Sequence, residues 1–386
     1  MPHQPQLGNG MEIAPAELAA RIEGGAALQV LDVRAPERLA AGKVDVAPPA
    51  RFVNVRGSQV VEMDDPSAAG LDRSLPVVTV CGRGHDSMRV AMHLCECGFD
   101  AVSLSGGMAA WNHVLVAREI APPDGFDRLL QFDRIAKGSL AYLLISGGEA
   151  LAIDIPREFG EIEKAAGESG ARIIAVADTH VHADYISGAP ALAAKLGIPY
   201  YLHPADNAYP YDGTPGKLDI APLSDGFEIK VGNGIVRAIH TPGHTEGSTC
   251  FVAGDGAFTG DFMFIASIGR PDLAGKTRDW SEDLLASIDR AKREWPEGLR
   301  VLPAHYGSES ERNEDRTIWR TFGEIKSGNA HLSVSDPDAF FEWVESRISN
   351  PPEAYRQIKG INAGLFKVSE MEADILEGGK NECALG

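Results

Sequence analysis

Short apolar runs that stop at a glycine, cysteine, histidine or aspartate alternate with segments of helical period along most of the chain, which predicts an α/β protein. The chain opens on a helix signal from Pro15 to Ile22, with proline at its start and Gly24 and Gly25 at its end. Strands are predicted over Leu28–Val33, Phe52–Val55 and Val77–Val80, and a helix starting near Ser87. Farther on, Tyr142–Ser146 and Ala150–Asp154 flank Gly147 and Gly148, the pattern of a β-hairpin with a two-residue turn. A helix over Glu158–Glu168, a buried strand over Ile173–Ala177 and a helix with Pro190 in its first turn follow. Ser281 reads as the N-cap of a later helix with acidic residues in its first turn, and the chain ends in helical and irregular segments with a mobile tail, Gly378–Gly386.

At 386 residues the chain exceeds one ordinary core, and Ile120–Gly125, with two prolines and a glycine between apolar runs, marks a boundary between a domain at 1–120 and one at 121–386, the latter with a C-terminal helical extension. With 44% hydrophobic and 24% charged residues, no apolar run of spanning length and no secretory signal in Met1–Gly10, a soluble cytoplasmic protein without a membrane partner is expected. A net charge of −19 argues against nucleic acid and for small-molecule partners, and leaves homo-oligomer formation open. Five cysteines, Cys81, Cys95, Cys97, Cys250 and Cys383, are odd in number and scattered, so reduced thiols are expected rather than a disulfide framework.

Cys81 stands apart from the other four. It falls between the end of a strand and the start of a helix, where backbone N–H groups and the positive end of the helix dipole favour a thiolate and bind anions, and Gly82 and Gly84 let the chain curl around the sulfur. Cys95 and Cys97, two apart on the following helix, cannot face each other and read, with Cys250, as structural thiols. The loop Cys81-Gly-Arg-Gly-His-Asp86, the earlier Asp32-Val-Arg-x-x-Glu37 and the later Ser105-Gly-Gly-Met-Ala-Ala-Trp111 resemble the rhodanese family over the first 120 residues. The resemblance implies that Cys81 carries a persulfide sulfur from a donor to a thiophilic acceptor, with Arg83 and Gly84 in the binding loop. Asp86 stands where such domains often carry Arg or Thr; its charge beside an anion cradle disfavours a doubly charged donor, and Arg83 and Arg89 are the compensating cations.

The strand Ile173–Ala177 runs into Thr179-His-Val-His-Ala-Asp-Tyr185, which aims two imidazoles and a carboxylate out of the end of a sheet. Three later strands end the same way, at His244, at Asp261 and at His305. Any one of them alone is more often a hydrogen-bonded loop residue, but four polar strand ends in one domain predict convergence on a metal ion. His240, His203 and Asp154 are weaker candidates; Asp154 is expected to brace the loop by accepting backbone hydrogen bonds.

The order H-x-H-x-D, His, Asp, His resembles the metallo-β-lactamase superfamily from about Phe126 to Gly307, and implies an αββα sandwich behind the rhodanese-like α/β domain. Dinuclear zinc members carry a histidine where this chain has Tyr185, a far poorer ligand, so the second metal position is doubtful. His180, His244 and Asp261 remain, and with Gly269-Arg-Pro-Asp-Leu273 they resemble the persulfide dioxygenases. That resemblance implies oxidation of glutathione persulfide by O2 to sulfite and glutathione at a mononuclear Fe(II) site, with sulfite or thiosulfate linking it to the rhodanese reaction. Arg270 would orient the ligands or the substrate; His182, Asp184 and His305 would hold ligands and waters, or form a residual second metal site. The alternative is a Zn2+ hydrolase of thioesters or lactones, similar to glyoxalase II, with an accessory rhodanese domain.

Overall fold

The computed structural model describes residues 10–209, 212–348 and 350–384. These divide into two compact units, one comprising the described residues up to 116 with 134–137 and 378–380, the other the rest of the described residues.

The first unit is built on a five-stranded sheet in the order Glu12–Ile13, Ala101–Leu104, Val77–Val80, Gln29–Asp32, Arg51–Asn54, with every pairing parallel. A parallel sheet must be covered on both faces, and its three middle strands are buried at every position. Alternate residues feed two cores: Val30, Val78, Val80, Val102 and Leu104 on one face, Leu31, Val77, Cys81 and Ala101 on the other. The helix after Cys81 spans His85–Glu96, starting two residues before Ser87, because Gly84 at φ +91 supplies the left-handed cap that ends the loop.

The second unit holds two sheets face to face. One runs Ala221–Pro222, Tyr200–Leu202, Arg172–Ala177, Glu149–Ile153, Ser139–Ser146, Arg128–Arg134, Leu115–Ile120, and includes the expected hairpin across Gly147 and Gly148. The other runs Glu228–Val231, Gly234–His240, Thr249–Ala253, Gly256–Gly260, Arg300–Pro303, Arg320–Thr321. Their facing sides share one core, with Leu144, Leu151, Ile153 and Ala175 from the first sheet meeting Val236, Phe251, Phe258 and Leu302 from the second. On the outer face of the second sheet, helix Thr277–Glu294 buries Leu284, Leu285, Ile288 and Ala291 in a second core. Helices Gly160–Glu168 and Ala189–Leu196 pack on Arg172–Ala177 from the other side, which completes the αββα layering.

Two sequence expectations are corrected. Ser281 is not an N-cap: the helix begins at Thr277, and the Ser281 hydroxyl turns back to donate to the Thr277 carbonyl at 2.5 Å. The tail is not a free end through Ala384. Cys383 is fully buried, its carbonyl accepts the Arg270 N–H at 2.9 Å, and Ala384 forms an antiparallel bridge with Gly269. Leu385 and Gly386, and residues 1–9 of the segment searched for a signal, lie outside the described residues. No helix among the described residues is long and apolar enough to cross a membrane.

Phe258, 1% exposed and edge-on to Tyr142 at 4.9 Å, joins the two sheets. Phe258→Ala is expected to destabilise the second unit by about 3–5 kcal/mol, read as an earlier denaturant transition of its amides in hydrogen exchange, with those of the first unit unchanged.

Candidate metal centre

The Cys81 loop is held from behind. Met108 N–H and Ala109 N–H, in the first turn of Gly107–Trp111, donate to the Cys81 and Gly82 carbonyls at 2.9 and 3.0 Å. Gly107 has φ +59, and a Cβ there would lie 2.4 Å from the Cys81 carbonyl, so the Gly-Gly pair of the closing signature is what lets the helix approach. Cys81 Sγ, buried, accepts from Gly84 N–H at 3.1 Å and Ser87 Oγ at 3.2 Å, and Ser87 Oγ lies 2.9 Å from Ser103 Oγ. Neither serine was singled out from the sequence, although Ser87 sits one helical turn past the loop. Arg83, Asp86 and Arg89 are exposed around it.

In the second unit His180 follows a strand of the first sheet, while His244, Asp261 and His305 each follow a strand of the second, so all four meet where the two sets of strand ends share a rim. His180, His244 and Asp261 are buried, and each brings one ligand atom within 4.8 Å of the other two. His180 Nε2 and His244 Nε2 lie 3.6 and 3.5 Å from Asp261 Oδ2. Donors about 2.1 Å from one ion stand roughly 3.0–3.6 Å apart for angles of 90–120°. None of these three buried atoms has a hydrogen-bond partner among the described residues, a costly arrangement that a cation in their midst would relieve.

The rest of each ligand is held. His180 Nδ1 lies 2.9 Å from Thr179 Oγ1, whose own proton goes to Asp154 at 2.9 Å, so Nδ1–H donates and Nε2 carries the lone pair. Asp154, at φ +55, also accepts Thr179 N–H at 2.7 Å, the bracing role expected of it. His244 Nδ1–H donates to the Arg270 carbonyl at 2.9 Å. Gly269 makes that contact possible, because a Cβ there would fall 2.9 Å from His244 Nδ1 and 1.9 Å from the Asp261 carbonyl. Asp206 accepts from Val181 N–H, Thr245 Oγ1 and Gly247 N–H, all at 2.8 Å, and so ties the two histidine loops together. Burial holds the His180 pKa well below its ordinary value and that of His244 at about 4, which leaves both imidazoles neutral and able to bind metal. Burial opposes the Asp261 charge, yet the adjacent His305 brings its pKa below the usual carboxylate value.

The three residues expected beside these ligands separate. His305 bridges two carboxylates, Nδ1 to Asp261 at 2.7 Å and Nε2 to Asp184 at 3.1 Å; although burial works against its charge, the two acids hold its pKa at about 10. His182 leaves that group. Its Nε2 faces Tyr185 OH at 3.0 Å, Asp154 at 3.3 Å and Asp178 at 3.6 Å. Its Nδ1 has no hydrogen-bond partner among the described residues, and its ring lies edge-on to His180 at 4.4 Å, outside the convergent set. Arg270 presents no charge to the centre through its guanidinium, which forks onto Asp272 at 2.7 Å through two nitrogens, as a buried cation requires; its carbonyl is what reaches a ligand. His203 and His240 stack on each other at 4.2 Å, away from the three ligands.

Sequence reasoning missed Cys383. Its sulfur lies within 4.8 Å of ligand atoms of Asp261 and His305, and nothing local to the tail signals this.

Such a site on such a fold defines a metal-dependent enzyme. A family model of the metallo-beta-lactamase superfamily matches residues 137–306, and one of the rhodanese-like domain matches 14–113. The probable metallo-hydrolase YqgX of Bacillus subtilis is 31% identical over 180 residues, 43% of this chain and 83% of that protein. The probable polyketide biosynthesis zinc-dependent hydrolase BaeB of Bacillus velezensis is 31% identical over 157 residues, 40% of this chain and 67% of that protein. Among solved structures, a metallo-beta-lactamase from Staphylococcus aureus shares 30% identity with a TM-score of 0.54, covering 61% of this chain and 72% of that one. ETHE1 from Myxococcus xanthus, at 22% identity and a TM-score of 0.50, covers 65% of this chain and the whole of that one, a likeness of fold alone. The chain belongs to the metallo-beta-lactamase superfamily and carries a rhodanese-like domain ahead of it.

Thr179→Val removes the acceptor of His180 Nδ1–H while keeping the side-chain shape. Metal affinity is expected to fall roughly tenfold to a hundredfold in chelator competition, with an unchanged circular dichroism spectrum.

Proposed function

We propose that the second unit oxidises a low-molecular-weight persulfide, glutathione persulfide, with O2 to give glutathione and sulfite, and that Cys81 carries sulfane sulfur for the same chemistry. The observation that carries this reading is the donor set: two neutral imidazoles and one carboxylate converge, while Tyr185 and the Nε2 edge of His182 are engaged elsewhere. Two histidines and a carboxylate with open positions suit Fe(II) and dioxygen chemistry.

His180, His244 and Asp261 would hold the iron, which when bound supplies open coordination positions and the electron transfer that dioxygen requires. The protein's part is to keep the imidazoles neutral and fixed, through Thr179 and the Arg270 carbonyl, and to keep Asp261 charged through His305. Overall one persulfide, one O2 and one water give one thiol and one sulfurous acid, which is sulfite after loss of two protons; the sulfane sulfur gives up four electrons and O2 takes them. The covalent join to a rhodanese-like domain supports a sulfur substrate, since sulfite is also an acceptor for a Cys81 persulfide and would leave as thiosulfate. Reduced thiols and small anionic partners fit a cytoplasmic setting.

A second reading, a zinc hydrolase of thioesters or lactones, is supported by the hydrolase names of the relatives at 31% identity. Zn2+ has no redox chemistry, so the two readings separate on metal and on oxygen. The iron-loaded chain is expected to consume O2 on addition of glutathione persulfide and to release sulfite; no uptake at full iron occupancy sinks the proposal. Cys81→Ser is expected to retain that uptake and to lose transfer of sulfane sulfur to sulfite, followed as thiosulfate formed.

A further inference from the structure

The helix Glu353–Asn362 lies outside the stretch that the superfamily model matches, yet it packs on the loop that carries His180. Asn362 fixes the approach. Its amide donates to the carbonyls of His182 and Tyr185 at 2.9 and 2.8 Å and accepts from Ser187 N–H at 2.9 Å. Residues three and four apart share a helix face, so Tyr355, Lys359 and Asn362 form one polar row on the side turned to that loop. Two of the three tips are occupied, since the Tyr355 hydroxyl accepts from Glu382 N–H at 2.7 Å.

Lys359 is different. It is 0% exposed, and its Nζ has no hydrogen-bond partner among the described residues. The Trp280 ring lies 5.9 Å from the ammonium, at the outer edge of cation–π range. Trp280, with Val181, Asp206 and Thr245, lines a cavity of ≈ 360 Å³, and Val181 and Thr245 are the chain neighbours of His180 and His244. The ammonium is close enough to both imidazoles to add to their loss of basicity. A buried ammonium without a hydrogen-bonded partner is among the costliest groups a fold can keep. The protein keeps it on the helix that packs against the His180 loop, in an otherwise strongly acidic chain.

We propose that Lys359 is an anion anchor, which holds by a charge-assisted hydrogen bond the negatively charged group of the molecule bound at the open side of the metal centre. On the persulfide reading, on which the ligand's identity rests, that group is either a sulfur oxyanion or a carboxylate of the thiol peptide. Burial lowers the pKa of Lys359 to about 8, so the group is mainly protonated at neutral pH.

The test uses the metal-loaded full chain, wild type against Lys359→Met and Lys359→Gln, titrated calorimetrically with sulfite and, separately, with glutathione. Both variants are expected to melt no lower than wild type, because a buried charge has been removed. Binding of one of the anions is expected to weaken roughly tenfold to a hundredfold. Loss confined to sulfite identifies a sulfur oxyanion at Lys359, and loss confined to glutathione identifies a carboxylate. Unchanged affinities in either folded variant, or no binding of either anion to wild type, overturn the anchor. Oxygen uptake decides the other question: uptake with unchanged affinities removes Lys359 alone, whereas no uptake with affinities lost in the variants keeps the anchor and removes the persulfide reading.

Discussion

An imidazole offers a lone pair in a fixed direction when its other nitrogen is held, and the second unit is arranged to hold two of them. The hydrogen-bond chain from Asp154 through Thr179 to His180, and the bond from His244 to the Arg270 carbonyl, leave one nitrogen of each ring facing Asp261. Asp154 does this from a left-handed backbone conformation that a non-glycine residue adopts at a cost of roughly 1 kcal/mol or more. Asp206 adds the second constraint. One buried carboxylate takes three hydrogen bonds from two loops, so the loops cannot move independently.

Tyr185 gains a positive role from the structure. As a sequence feature it was a missing ligand, a phenol where related dinuclear enzymes have imidazole. In the fold its hydroxyl donates to the Asp154 carbonyl at 3.0 Å, meets His182 Nε2 at 3.0 Å, and its ring stacks on His182 at 4.3 Å. His182 is thereby drawn into a pocket with Asp154 and Asp178. Burial would lower its pKa, but the two adjacent carboxylates hold it well above the ordinary histidine value. Tyr185 thus offers a phenol where the motif could offer an imidazole, and its hydroxyl and ring hold His182.

What the sequence made legible was set by distance along the chain. His180, His244 and Asp261 could be read because each falls within four residues of the end of a short apolar strand, and strands of a sandwich end at common rims. Cys81 could be read because its cradle is local, six residues long. Of the partners that orient these groups, only the bracing by Asp154 could be read. Asp206 meets Thr245 across 39 residues, and Asn362 meets Tyr185 across 177; such contacts exist only once both sheets and the terminal helices are assembled. Local signals also misled: a serine followed by acids resembles an N-cap, but Ser281 was already one turn inside a helix. The tail looked mobile because its composition is polar and glycine-rich, whereas backbone pairing with Gly269 and burial of Cys383 decide its place.

The contact between His244 and residue 270 is made by a carbonyl oxygen, which every amino acid possesses. The identity of the side chain at 270 therefore does not encode it; the course of the backbone through Gly269 does. A substitution scan would register this determinant of the imidazole tautomer indirectly, wherever a change bends the main chain.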